Sequence, residues 1–200
     1  MSKHIKTLTN DEQIKLITYL EKPRLGNKYK AWEIRNLLMV LLMLDTGIRV
    51  GELVQLLFTD LFFNGEPVKA LLIYAAIAKR NKERTIPLTE RVIKAIWKYY
   101  QVSERWQHPE PAEPAFNSVG TKRFISVRSV QLMVTAASMA AFNRVVTPHQ
   151  LRHTFATRLM SRTNIRVVQT LLGHSSLQST QIYTHPNNDD LTNAIKSMEN

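Results

Sequence analysis

An uninterrupted run of apolar residues, 37–44 (LLMVLLML), limits most strongly what this chain can fold into. It belongs to a longer segment with helical features, 32–44, and Gly47 follows as a helix breaker. A membrane-spanning helix needs roughly 20 consecutive apolar residues, and a signal peptide lies at the N-terminus. The run is too short for the first and too far along the chain for the second. We therefore expect a helix over 32–44 in a soluble intracellular protein with a cytoplasmic location and no membrane association.

The rest of the chain alternates helical periodicity with turn signals. A helix is predicted to begin after residues 8–12, and others are predicted over 49–57, 89–102, 126–141, 148–162 and 164–172, then one that carries Tyr183 and an amphipathic one over 189–198. Between 61 and 87, a turn at 64–67, a β-prone segment at 68–77 and a short strand at 84–87 predict a small antiparallel sheet. The expected fold class is mainly α with a small antiparallel β-sheet (α+β), in one domain over 1–200.

The amino-acid composition indicates the class of partner and excludes some kinds of chemistry. Lys and Arg total 27 against 16 Asp and Glu, which gives a formal net charge of +11. Such an excess favours a polyanionic partner, DNA or RNA, because each neutralised phosphate releases condensed counterions. The chain has no cysteine. Disulfides, thiol nucleophiles and cysteine-ligated zinc are therefore excluded.

Several polar residues are candidates for chemistry, although none is decisive by itself. His149 and Arg152 are three positions apart on a predicted helix, so both could contact one anionic group such as a phosphate. His149 and His153 also have the spacing of a two-histidine metal site, but Gln150 replaces the glutamate of the zinc-protease pattern. Tyr183, in QIYTH, resembles an ordinary amphipathic packing residue when it is considered alone.

Taken together, four motifs in order resemble the tyrosine recombinase (phage integrase) family over residues 8–198. They are 46–53 (TGIRVGEL), the hairpin 79–88 (KRNKERTIPL), 148–157 (PHQLRHTFAT) and 171–176 (LLGHSS), and Tyr183-Thr184-His185 completes the series. The resemblance implies the catalytic-domain fold of that family. It also implies site-specific DNA recombination without metal, ATP or another cofactor.

The resemblance assigns a role to each of six residues. Arg49 and Arg152 would hold the scissile phosphate and stabilise its developing charge, and His149 and His174 would add hydrogen bonds and assist proton movement. Lys79 would protonate the departing 5′ oxygen, and Tyr183 would attack phosphorus to form a 3′-phosphotyrosyl bond. Glu52 is expected to position cations rather than to act as a base. Cations expected to contact double-stranded DNA are Arg80, Lys82, Arg84 and Arg128.

Some features depart from the family pattern and leave alternatives open. Ala78 and Arg80 flank Lys79 where many relatives have glycine, so Lys82 is a possible substitute. The resemblance begins within ten residues of Met1, and we expect no separate N-terminal DNA-binding domain in this chain. The chain would then be either an excised piece of a longer protein or a naturally short recombinase, similar to the fimbrial phase-variation inversion enzymes.

Three further expectations concern assembly and activity. The loop over 106–115 is expected to be a flexible surface loop or a weak boundary, and the helix over 189–198 to dock on its own domain or on a neighbouring protomer. We expect a homo-oligomer, dimer to tetramer, on DNA. The competing functions are nicking and resealing of the type IB topoisomerase kind, and a catalytically silent DNA-binding regulator.

Overall fold

Helices make up most of the chain that the computed structural model describes, which comprises residues 7–23, 30–78, 82–103, 112–118 and 121–173. The helices are α1 Asn10–Glu21, α2 Ala31–Thr46, α3 Val50–Leu53, α4 Glu90–Val102, α5 Val127–Phe142, α6 Pro148–Met160 and α7 Ile165–Leu172. The strands are β1 Phe62–Phe63, β2 Glu66–Pro67, β3 Ala70–Ile73 and β4 Arg84–Pro87. Within the described ranges no helix has both the length and the apolarity that crossing a membrane requires.

Helix α2 is the central element of the core. Every residue from Glu33 to Thr46 is buried, and the apolar run 37–44 within this range leaves no polar face. Helices α1, α4 and α6 surround it. Near its end, Asp45 accepts hydrogen bonds from Thr89, at 2.7 Å, and from Arg91, which ties α2 to the start of α4. The helix predicted over 32–44 is confirmed.

The strands form two separate antiparallel pairs, β1 with β2 and β3 with β4, where the sequence predicted one small sheet. Asn64 and Gly65 both have positive φ, which makes the tight turn between β1 and β2 possible. The second pair is longer, and its register places Ile73 opposite Arg84. The mainly α class with minor antiparallel β structure is confirmed, and the arrangement of the strands is the detail that differs.

The helix predicted over 49–57 is too long, because α3 ends at Leu53. Two backbone hydrogen bonds explain its early end: Ala115 N–H donates to the Leu56 carbonyl at 2.8 Å, and Phe58 N–H donates to the Glu113 carbonyl at 2.8 Å. Glu113 and Ala115 are buried. The last residues of the loop predicted over 106–115 are therefore paired with the core rather than free on the surface.

Helix starts were predicted well because local side chains determine them. Thr9 with Glu12, and Thr147 with Gln150, form reciprocal capping boxes at α1 and α6. Ser126 and Asn164 cap α5 and α7. Pro148 occupies the first turn of α6, where its missing N–H costs nothing.

Gly47 terminates α2 in the left-handed conformation, with φ 62°. A β-carbon at this position would collide with the side chains of Phe155 and Leu172. Those two residues belong to a small apolar cluster that α6 and α7 share. The glycine therefore permits both the turn that follows α2 and the close approach of α6 and α7.

Replacing Gly47 with alanine is expected to lower the free energy of unfolding by about 2–4 kcal/mol, since strain at positive φ and overpacking add. Gly51 is the matched control, because no atom lies within 4 Å of a β-carbon built there. Gly51→Ala should be neutral or stabilising by up to about 1 kcal/mol. Urea unfolding of both variants measures the difference, and equal stabilities would contradict the packing argument.

A buried histidine, His153, lies on α6 and is 4% exposed. Its Nε2 atom shares a hydrogen bond with Nε2 of His149, one turn earlier, at 2.7 Å. Burial, together with the neighbouring His149 and Arg152, lowers the pKa of His153 to about 4. Since a histidine in an unfolded chain titrates near 6.5, the folded state binds fewer protons than the unfolded state between these values.

Stability should therefore be greatest above pH 6.5 and decline as the pH falls toward 4. Replacing His153 with asparagine should make this decline shallower, by about 2 kcal/mol between pH 7.5 and pH 5. Chemical denaturation at a series of pH values measures both slopes. If the wild type and the variant lose stability in parallel, the low pKa of His153 is wrong.

Candidate active site

Arg152 joins the ends of two helices from its position on α6. It is 5% exposed, and its guanidinium donates to two backbone carbonyls, those of Gly47 and Leu172, the latter at 2.8 Å. Gly47 follows α2, and Leu172 is the last residue of α7. Both partners are carbonyl oxygens, so these two contacts orient the guanidinium without neutralising its charge.

Arg49 lies at the start of α3, two residues after Gly47. Its backbone N–H donates to Oε2 of Glu52 at 2.9 Å, and its Nη1 donates to Oε1 of the same carboxylate at 3.1 Å. The side chain is 25% exposed. A guanidinium held on one side and open on the other is suited to binding an external anion.

Glu52 is the buried carboxylate of the site, 2% exposed, and it also receives Arg84 of β4. Arg84 donates through Nη1 to Oε1 at 3.1 Å and through Nη2 to Oε2 at 2.6 Å. Burial alone would raise the pKa of Glu52. The hydrogen bonds and charge of Arg84, followed by the Arg49 backbone and charge, outweigh burial and lower that pKa. Glu52 therefore contacts two cations, Arg49 and Arg84, as expected of a residue that positions cations.

The structure does not support Arg84 as a DNA contact. Its side chain is 4% exposed, and all of its donor groups point inward, two to Glu52 and Nε to the Leu171 carbonyl at 3.0 Å. The sequence contains a signal that predicts this: Arg84 and Ile86 alternate with Thr85 and Pro87, and the first pair is buried. Arg84 therefore belongs to the inner face of its strand.

His149 and His153 meet edge to face, with ring centroids 4.2 Å apart. Their Nε2 separation is that of a direct hydrogen bond, and in the described part of the chain no third metal-ligating side chain joins them. Burial, followed by the charges of Arg152 and Arg49, lowers the pKa of His149. Two histidines that share one proton, both with lowered pKa values, are neutral near pH 7.

The described residues thus bring together three of the six predicted catalytic positions: Arg49, His149 and Arg152. Lys82 and Arg128 are exposed, as a DNA contact requires. Lys79, Arg80, His174 and Tyr183 lie outside the described residues. Sequence reasoning missed the contact between His149 and His153 and the inward role of Arg84. Chemically, two arginines and a neutral histidine at one place can bind a phosphate and stabilise added negative charge on it.

Comparison with known proteins identifies relatives that share most of this chain. It is 37% identical over 156 residues to the tyrosine recombinase XerC of Vibrio vulnificus (strain YJ016), covering 76% of this chain and 46% of the relative. It is 35% identical over 192 residues to the tyrosine recombinase XerA of Pyrococcus furiosus, covering 96% of this chain and 61% of the relative. The chain spans about half the length of these curated relatives.

Solved structures have the same fold. The crystal structure of XerA recombinase matches with a TM-score of 0.75 at 27% identity, over 100% of this chain and 65% of that one. XerH site-specific recombinase bound to difH substrate, in a pre-cleavage complex, matches with a TM-score of 0.76 at 26% identity, over 100% and 56% of the two chains. The phage integrase family model matches residues 6–190. The chain therefore belongs to the phage integrase family.

Proposed function

We propose that this chain cleaves and rejoins double-stranded DNA as a tyrosine recombinase and supports site-specific recombination. The observation that carries the proposal is the convergence of Arg49, Arg152 and His149, with Arg152 oriented by carbonyls and Arg49 open to solvent on one side. Family membership and recombinase relatives, one of them solved with its DNA substrate, support the same function. The net charge of +11 suits a DNA partner.

In the proposed reaction, the Tyr183 hydroxyl gives its proton to His174, one of the two histidines expected to assist proton movement. The tyrosine oxygen attacks phosphorus, and the bond from phosphorus to the 5′ oxygen breaks. Lys79 gives a proton to that oxygen. Arg49 and Arg152 stabilise the extra charge on the nonbridging oxygens in the transition state. The 3′-phosphotyrosyl bond conserves the energy of the phosphodiester, so a 5′ hydroxyl of another strand can reverse the step and reseal a new joint.

The histidine contact suggests how His149 takes part. Since Nε2 of His149 bonds to Nε2 of His153, a neutral pair has one proton between these two atoms. If His153 donates this proton, the hydrogen of His149 lies on Nδ1. That nitrogen would then donate to the phosphate, and His153 would fix the tautomer.

Strand exchange requires several cleavages in two duplexes, and the exchanged strands form a four-way junction as an intermediate. A single site of this kind cuts one strand at a time. We therefore propose that the chain acts on DNA as a homo-oligomer, from dimer to tetramer. We also propose that it acts in the cytoplasm, on the DNA of the nucleoid.

The direct test is covalent trapping. Incubation with nicked suicide duplexes of randomised sequence should give the wild type a protein–DNA adduct that survives denaturant, and Tyr183→Phe should give none. Tyr74→Phe is the matched control, since Tyr74 is a surface tyrosine, 46% exposed, and this variant should form the adduct. Gel analysis detects the adduct, and sequencing of the trapped DNA identifies the target.

Other outcomes distinguish the alternatives. Relaxation of supercoiled DNA without sequence preference or partner exchange would favour topoisomerase-like nicking and resealing. Sequence-specific binding without any adduct would favour a silent regulator and would contradict the catalytic proposal.

The two arginines should respond differently to removal. Arg49→Ala and Arg152→Ala should each slow cleavage of bound DNA by about 100- to 1,000-fold, the usual loss when one transition-state donor is removed. Arg49→Ala should change the free energy of unfolding by about 1 kcal/mol or less, because Arg84 still holds Glu52. Arg152→Ala should cost about 2–4 kcal/mol, because the carbonyls of Gly47 and Leu172 lose their donor. Single-turnover kinetics and denaturation measure both.

Arg128 is the control for this comparison. It is exposed on α5. Arg128→Ala should weaken DNA binding and reduce its salt slope by about one, without slowing cleavage of bound DNA. If Arg128→Ala slows cleavage at saturating protein as much as Arg49→Ala does, the assignment of Arg128 to DNA binding and of Arg49 to the cleavage step is wrong.

A further inference from the structure

We propose that Arg84 is a positioning residue that keeps the active site positively charged, by neutralising Glu52 so that Arg49 retains its charge for a phosphate. This inference rests on the proposed DNA-cleaving function. Arg84, expected from the sequence to contact DNA, would instead act inside the site.

Glu52 accepts four hydrogen bonds from two arginines. Each carboxylate oxygen accepts one bond from Arg84 and one from Arg49. The two bonds from Arg84 come from both terminal nitrogens of its guanidinium, a bidentate pairing. Arg49 contributes one backbone N–H and one side-chain nitrogen. Arg84 is therefore the stronger side-chain partner of this acid.

Glu52, Arg84 and Arg49 together carry one net positive charge. Without Arg84 the remaining pair would be neutral, and a carboxylate 3.1 Å from the Arg49 guanidinium would compete directly with a phosphate for it. Because Glu52 and Arg84 are almost completely buried, water screens this competition poorly.

Through Nε, Arg84 also donates to the carbonyl of Leu171, in the last turn of α7. Arg152 donates to the next carbonyl, that of Leu172. A β-carbon on Gly173 would lie 3.1 Å from Cδ of Arg84, so the chain leaves α7 closely packed on this side chain. Arg84 thus links β4, α3 and the end of α7 in one contact set.

The distinguishing test is charge rescue. Arg84→Gln removes the neutralising charge and should slow single-turnover adduct formation by about 10- to 100-fold at saturating protein, with less than a threefold change in Kd for the duplex. The double variant Glu52→Gln, Arg84→Gln restores the net charge of the trio, and its cleavage should recover by at least about tenfold. A purely structural role predicts no such recovery.

Two other variants control for stability. Arg144→Gln breaks another bidentate ion pair, which joins the segment before α6 to Glu12 of α1, and should cleave at the wild-type rate. If Arg84→Gln does not fold, Arg84→Lys and the double variant carry the test. Both keep the net charge of the trio and should cleave within about tenfold of the wild type. Loss of more than about 100-fold in both would overturn the proposal.

A second measurement does not need cleavage. Inorganic phosphate at constant ionic strength should raise the Tm of the wild type and of the double variant more than that of Arg84→Gln. In an Arg49→Ala background, Arg84→Gln should no longer change the rise in Tm that phosphate causes. If this pattern holds but the wild type forms no adduct, the proposed function fails and the role of Arg84 stands. If adducts form and the double variant recovers neither phosphate binding nor rate, the role of Arg84 is wrong.

Discussion

The buried carboxylate of Glu52, held between two arginines, is the interaction on which the site depends. Removing a carboxylate from water costs several kcal/mol, and the cost is offset only when its oxygens are well bonded. Here each oxygen accepts two hydrogen bonds, and the pKa of the acid is lowered in spite of burial. Because the cations are bound to this acid, they would be in place before the proposed DNA substrate binds. Such preorganisation is what makes charge stabilisation effective in a transition state.

Arg49 and Arg152 are held by two different kinds of partner, and the difference matters for an anion. Arg49 shares a carboxylate with Arg84, whereas Arg152 is bound by the carbonyls of Gly47 and Leu172. Carbonyl dipoles orient a guanidinium and leave its full charge in place. These contacts therefore fix the directions of both guanidinium groups, and under the proposal for Arg84 the charge of Arg49 stays available to an anion. Gly47 is essential to this geometry, because it supplies both the carbonyl and the turn that leads to Arg49.

Elements whose bounds depend on nearby residues were predicted correctly from the sequence. Predictions failed where residues distant in sequence determine the end of an element or the partner of a side chain. Caps such as Thr147, and the helix-ending Gly173, act within one turn, so the helix starts and the end of α7 were accurate. The end of α3 depends on backbone groups near residue 114, which no local pattern contains. Arg84 appeared to be a hairpin cation because its partners, Glu52 and Leu171, lie 32 and 87 positions away. The ordered motifs indicated the site, but the pairing of its charges required three dimensions.

Burial also distinguishes two histidines, His149 and His153, whose relative exposure the sequence does not reveal. His149 and His153 occupy one helix face, yet His153 is 4% exposed, whereas His149 is more exposed and only partly withdrawn from water. Both pKa values are lowered, by burial first and then by neighbouring charges, so neither histidine carries a lasting charge at neutral pH. The permanent positive charge around His149 then comes from the arginines. Under the proposed function, His149 would donate a hydrogen bond or pass a proton, and His153 would set which ring nitrogen holds the hydrogen.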